Sequence, residues 1–222
     1  MASRIIDLTI SLEPTLRGVD IDVHTTVAKD GWLSRMLHLY SHCGTHMDAP
    51  THFAAGTQTI DEIPVHRCMG RAWLVDVRHL QPRQEITVDH LGSVADSFVS
   101  DDAIIFWSDW TKHLGDPDYY RDQFSPISRS LARWMVDRKV RMVGVQPPSV
   151  ADVNDLPAVT EIHKILLGAG IIIVEGLDNV DQIQTPTCHW IALPIKVAGG
   201  DGAPCRSIAI VGSPGVVGVA ND

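Results

Sequence analysis

The chain has 222 residues, with 18 Lys and Arg against 27 Asp and Glu, a formal net charge of −9, and 45% apolar and 20% charged residues. This is globular composition, which excludes a disordered chain, a coiled coil and a collagen-like repeat. The acidic balance lacks the clustered Lys and Arg of a nucleic-acid or anionic-membrane surface, so neither partner is expected.

Short β-branched runs bounded by Gly, Pro or charge mark the strands. In chain order they are 4–11, 36–40, 72–77, 103–107, 142–145, 171–175, 190–195 and 207–211. Three helices fall among them. Thr87 is a candidate cap for the first, at roughly 88–97. Ser125 before Pro126 reads as an N-cap with proline at the first helical position. Leu131, Trp134, Met135 and Arg138 follow at helical spacing, so the second helix is expected over 126–139. Thr160 can cap the third, with Ile162, Ile165 and Leu166 on one face and Gly168 ending it. Strands outnumber helices, and helices separate only some of them. The expected fold is α/β, a single mixed β-sheet packed by helices rather than a doubly wound sheet.

No internal repeat or Ser/Gly-rich linker divides the chain, so 1–222 reads as one domain. The longest apolar run, 165–174, contains Gly168 and Gly170 and is about half of what a membrane helix requires. Asp7 stands where a signal peptide needs its apolar core. Cys43, Cys68, Cys188 and Cys205 are scattered, with no Cys-x-x-Cys pair. A cytoplasmic protein is expected.

Of the 11 histidines, His24, His38, His66, His79, His90, His113 and His189 are isolated and read as surface or partly buried imidazoles with one hydrogen bond. The informative segment is Ser41-His42-Cys43-Gly44-Thr45-His46-Met47-Asp48-Ala49-Pro50-Thr51-His52-Phe53. Imidazole nitrogen and carboxylate oxygen are the ligand set for zinc, manganese or non-haem iron. Gly44 lets the chain turn and aim His42 and His46 at one point. Asp48, two residues beyond His46, returns to the same side of an extended segment. Pro50 stiffens the exit before His52. The segment reads as a metal site with His42, His46 and Asp48 as ligands and His52 close by. A closed structural zinc site uses Cys and fills four positions, whereas this set leaves positions open for water. A non-catalytic metal-binding module remains the rival from a different class.

The run His-x-Gly-Thr-His-x-Asp-Ala-Pro-x-His-Phe resembles the signature of the metal-dependent cyclase family of hydrolases, which includes bacterial kynurenine formamidase and isatin hydrolase. Further blocks, 60–70, 163–167, 173–179, 192–196 and 201–206, extend the resemblance over roughly 32–210. It implies the family's swivelling β/β/α fold. It implies that His42, His46 and Asp48 bind one metal, that Asp48 bridges to a second held by His163 and Glu175, and that His52 is the catalytic histidine. One or two zinc or manganese ions per chain and a homodimer or homotetramer are implied as well. From the residues alone, His163 on a helix and Glu175 at a strand end can converge only through the fold.

The expected reaction is hydrolysis of a small-molecule amide by metal-activated water, with an aryl formamide such as N-formylkynurenine as substrate. A hydrolase opening a cyclic amide, isatin or a lactam, is the alternative. Two departures bear on the substrate. The stretch 13–20 has no aromatic residue where kynurenine formamidases often carry a Trp-Pro-Gly-type segment, and Gln146 stands where the family commonly has an acid. Phe106, Trp107 and Trp110 could line an aromatic pocket or belong to the core. No Gly-x-Ser-x-Gly elbow, His-Glu-x-x-His helix, dinucleotide fingerprint or P-loop is present, so a serine hydrolase, a zincin and a nucleotide cofactor are not expected.

Overall fold

Alternation along the strands sorts the apolar residues into two layers, and the sheet closes around one of them. The computed structural model describes residues 3–212. Its strands are β1 (Arg4–Asp7), β2 (Val19–Thr25), β3 (Ser34–Leu39), β4 (His46–Asp48), β5 (Met69–Asp76), β6 (Ala103–Trp107), β7 (Met142–Gly144), β8 (Ile172–Glu175), β9 (Thr187–Pro194) and β10 (Gly202–Val211). The order β1-β10-β4-β8-β7-β6-β5-β9, with β9 pairing back onto β10, makes an eight-stranded sheet closed into a barrel. Strands β5 to β8 run parallel, and the other pairings in this sheet are antiparallel. This is the expected mixed α/β sheet. β2 and β3 form a separate hairpin.

The α-helices are α1 (Val27–Asp30), α2 (Val94–Ser97), α3 (Pro117–Asp122), α4 (Arg129–Asp137) and α5 (Leu156–Gly168). On β6, Ala103 and Ile105 join Met47, Met142, Val174 and Trp190 in one core cluster, inside the barrel. Ile104 and Phe106 point the other way and pack with Val143 and Ile173 against Leu131, Met135, Ile162 and Leu166 of α4 and α5. Each such side chain, fully buried, contributes about 1.5–3 kcal/mol.

The helix starts differ from the expectation. The amide of Ile86 donates to the Pro126 carbonyl at 2.8 Å, and Ile127 bridges Ile86. Pairing with that passing strand wins over the helix. Ser128 is the cap instead, its hydroxyl accepting from the Leu131 amide at 3.2 Å. α5 begins before Thr160: Asp155 accepts from the Ala158 amide at 3.0 Å, and Pro157 sits in the first turn. The 88–97 helix is split into a 3-10 turn (Val88–Leu91) and α2, because Gly92 takes a positive φ of +51°. The first strand stops at Asp7, leaving Thr9 in an isolated bridge to Leu177. Among the described residues, no helix is long and apolar enough to cross a membrane.

All four cysteines are free and buried. Burial pushes the Cys68 thiol up to about 11 and those of Cys188 and Cys205 to about 12, and it raises Cys43 as well. Thiolate is the reactive form. Native protein at pH 8 is therefore expected to react slowly with Ellman's reagent, and all four thiols to react at once after denaturation. Rapid labelling of the native state would contradict this packing.

Candidate metal centre

The site is assembled by strand register. Met47 points into the barrel, so its neighbours His46 and Asp48 project from the other face of β4. On β8, Val174 points inward and Glu175 outward. The antiparallel register pairs His46 with Glu175 and Asp48 with Ile173. On α5, the buried face of Val159, Ile162, His163 and Leu166 packs over these strands and delivers His163.

The six expected residues, His42, His46, Asp48, His52, His163 and Glu175, all meet here. His42 Nδ1 is 2.8 Å from Asp48 Oδ1, and His46 Nε2 is 3.8 Å from the same oxygen. His46 Nε2 is 3.1 Å from Glu175 Oε2. His163 Nε2 lies 3.5 Å from Glu175 Oε1 and 3.6 Å from Asp48 Oδ2. His52 stacks on His42 with ring centroids 3.8 Å apart. Two groups bring their ligand atoms within 4.8 Å of one another, His42/Asp48/His52 and His46/Asp48/Glu175, and Asp48 belongs to both.

Backbone carbonyls orient the imidazoles. His46 Nδ1 donates to the Gly44 carbonyl at 3.0 Å, and His163 Nδ1 donates to the Val159 carbonyl at 2.7 Å. With Nδ1 committed to a carbonyl, each ring turns its Nε2 toward the carboxylates, the nitrogen left for a metal. Glu175 Oε1 accepts from the Val150 amide at 2.7 Å. Asp201 was not expected at the site: its Oδ2 is 3.0 Å from His42 Nε2 and 3.5 Å from His52 Nδ1. In sequence it was visible only as part of the block 201–206. The next residue, Gly202, leaves space for the His42 ring, since a Cβ there would lie 2.6 Å from His42 Cε1.

The electrostatics mark this as a place for positive charge. Burial lowers the pKa of His42, but hydrogen bonds and charge from Asp48 and then Asp201 outweigh it and raise the value to about 9. Burial is likewise overridden at His46 and His163, where Glu175 and Asp48 raise the pKa. At Glu175, burial favours the acid form, yet His163 and His46 hold it well below the usual carboxylate range. Asp48 Oδ2 is buried with no hydrogen-bond partner. A buried carboxylate oxygen left so is costly, and a divalent cation among these nitrogen and oxygen donors satisfies it. The donor set fits such an ion.

A cavity of about 660 Å³ opens over the site, lined on its apolar side by Ile10, Leu16, Phe53, Leu114, Val153 and Val159. Phe53 also stacks on His163, centroids 4.2 Å apart. Phe106, Trp107 and Trp110 are absent from the lining. Phe106 packs beneath the helices, Trp107 lies under the Arg78 guanidinium, and Trp110 packs with Tyr120 and Phe124. Gln146 is also outside it: its Oε1 accepts from the Ser108 and Asp109 amides, both at 2.8 Å, and so secures the loop after β6.

Gly176 sets how closely β8 approaches the histidine loop. Its φ is +68°, and a Cβ there would lie 2.4 Å from the Gly44 carbonyl oxygen. Thr45 reinforces the contact, its hydroxyl donating to the Gly176 carbonyl at 2.5 Å. Gly176→Ala is expected to cost at least about 1–3 kcal/mol from backbone strain. A thermal melt should show Tm lower by roughly 2–4 °C per kcal/mol, and an unchanged Tm would remove the constraint.

The Cyclase family model matches residues 6–152. A kynurenine formamidase from Salinibacter ruber is 33% identical over 174 residues, covering 78% of this chain and 77% of its own. One from Erythrobacter litoralis is 29% identical over 170 residues, covering 76% and 72%. Among solved structures, isatin hydrolase A from Ralstonia solanacearum superposes with a TM-score of 0.85 at 22% identity, covering 95% of this chain and 92% of that one. The Labrenzia aggregata isatin hydrolase A bound to benzyl benzoate gives 0.85 at 24% identity, covering 94% of each. The solved structures share the closed mixed sheet, and the sequence match over most of the chain places it in a family: this chain belongs to the cyclase family.

Proposed function

We propose that the chain is a metal-dependent amide hydrolase acting on an aryl formamide such as N-formylkynurenine. The observation that carries this is the convergence of four histidines and two carboxylates, with Asp48 Oδ2 lacking a hydrogen bond, at the floor of a cavity with an apolar wall. His42, His46 and Asp48 would hold one zinc or manganese ion, and Asp48, His163 and Glu175 a second. Bound there, a divalent ion lowers the pKa of water from about 15.7 toward 7 and polarises a carbonyl oxygen.

The chain supplies the proton handling. Burial lowers the pKa of His52, with Asp48 opposing and His42 adding to the effect. The ring is therefore neutral at pH 7 and able to take a proton from the attacking water and return it to the leaving nitrogen. Asp201, 3.5 Å from His52 Nδ1, can steady the charged ring. Ile10, Leu16 and Phe53 offer an apolar wall to an aryl group and keep bulk water from it. The formamide substrate is supported by the relatives named kynurenine formamidase; the cyclic amide rests on the fold likeness alone. A storage module has no use for a substrate-sized cavity with an apolar wall over the ligands.

Protein reconstituted with zinc or manganese is expected to hydrolyse N-formylkynurenine, with His52→Ala keeping its metal and losing about 10²–10⁴-fold in kcat. Glu175→Gln should lower metal content by elemental analysis. Wild-type rates in His52→Ala would remove that histidine from the mechanism, and no turnover from metal-loaded protein would sink the aryl formamide.

A second copy of the chain is proposed as the cover for the β2–β3 hairpin. Trp32, Leu33 and Leu37 there are 62%, 56% and 55% exposed, and an isolated two-stranded hairpin is marginal in water. Light scattering should report a dimer or tetramer, and Trp32→Ser with Leu37→Ser should shift it toward monomer. A monomeric wild type would end this proposal. Four buried free thiols suit the reducing cytoplasm proposed as its compartment.

A further inference from the structure

The cavity has a second polar pole that the hydrolytic chemistry does not use. Its floor is the histidine and carboxylate cluster and its walls are apolar, but its mouth carries Arg17 and Asp118. Each is exposed, and neither has a hydrogen bond or ion pair to any described residue.

Both are carried on braced segments. Arg17 sits in a turn closed by the Leu16 amide donating to Glu13 O at 2.9 Å and the Val19 amide donating to Leu16 O at 3.2 Å. Gly18 follows at φ +80°, pressed against Tyr40 so closely that a Cβ would lie 2.6 Å from the Tyr40 Cβ. Tyr40 in turn leans over His42, ring centroids 5.4 Å apart, so the turn is tied to the metal loop. α3 lines the same cavity and is also held in place. The Tyr120 hydroxyl donates to the Gln146 carbonyl at 2.7 Å, and Trp110 Nε1 donates to the Tyr120 carbonyl at 2.7 Å. One turn of α3 therefore shows Asp118 and Arg121 together at the rim, at i and i+3. Arg121 is engaged by Asp122 at 2.7 Å. Among the described residues, that leaves one uncommitted cation, Arg17, and one uncommitted anion, Asp118, lining the same cavity.

From this arrangement, and resting on the amide-hydrolase reading above, we infer that Arg17 and Asp118 form a recognition site for an α-amino-acid tail. Arg17 takes the carboxylate and Asp118 the ammonium, while the aryl group lies along the apolar wall and the amide reaches the floor. A guanidinium matches a carboxylate with two parallel hydrogen bonds, which adds orientation as well as attraction. The pair selects among amides: a zwitterionic aryl formamide satisfies both charges, and a neutral cyclic amide such as isatin satisfies neither.

The test compares N-formylkynurenine with formanilide, its neutral counterpart without the tail, on metal-loaded wild type, Arg17→Gln, Arg17→Lys and Asp118→Asn. Binding of kynurenine, which keeps the tail, is measured by calorimetry alongside. Arg17→Gln and Asp118→Asn are each expected to raise KM for N-formylkynurenine about tenfold, the scale of one charge-assisted hydrogen bond. KM for formanilide should not move, kynurenine binding should weaken in parallel, and Arg17→Lys should recover part of the loss. Equal shifts for both substrates, or none, would overturn the inference and leave the hydrolase standing. Should wild type hydrolyse neither formamide, the formamidase reading fails by itself. Kynurenine binding then decides the mouth: weakening in Arg17→Gln sustains it, and absent or unaffected binding overturns it.

Discussion

Two buried carboxylates, Asp48 and Glu175, share one small volume with two buried imidazoles, His46 and His163, and the rest of the structure is organised around that concentration of charge. Neither acid is tolerable in an apolar interior without partners. The register between β4 and β8 sets His46 directly opposite Glu175. α5 closes the arrangement from above by bringing His163 to both acids. A shift of one residue in that register would turn His46 and Asp48 into the barrel and Met47 out of it. The hydrophobic interior of the barrel and the polar site on its outer face therefore specify each other.

The loop before β4 is held as tightly as the strands. Thr45 links the Ile10 amide to the Gly176 carbonyl, and Gly44 and Gly176 meet backbone to backbone where no side chain fits. The carbonyls of Gly44 and Val159 each accept from an imidazole Nδ1 and so turn its Nε2 toward the carboxylates. Asp201 does the corresponding work for His42 from β10's leading edge. Each of these contacts orients a nitrogen, which is how a site keeps its geometry before an ion arrives.

The cavity then grades from polar floor to apolar wall to charged mouth. The floor joins the histidine motif to His163 and Glu175. Apart from Phe53, the wall and mouth are drawn from the 10–17 stretch, the loop before α3, α3 itself, and Val153 and Val159 around the start of α5, segments with no common pattern in sequence.

The sequence by itself determined the fold class, most strand positions and, through one short motif, four of the residues that meet at the candidate site. Strands buried on both faces read as continuous β-branched runs, and His42, His46, Asp48 and His52 lie close enough in the chain for spacing alone to suggest a common ligand set. His163 and Glu175 were legible only through the resemblance, because a lone histidine on an apolar helix face and an acid at a strand end carry no local signal. Helix starts at Ser128 and Asp155 escaped because capping potential is common along the chain, and a long-range pairing, Ile86 with Ile127, decides which candidate is used. Gln146 and the tryptophans lay beyond reach for the same reason: whether a polar or aromatic side chain faces a cavity or a loop depends on packing between distant segments. Tertiary structure alone brought Asp201 to His42, by the pairing of β10 with β4, and Arg17 and Asp118 to one cavity, since those meetings are made by packing between distant segments and not by proximity in sequence.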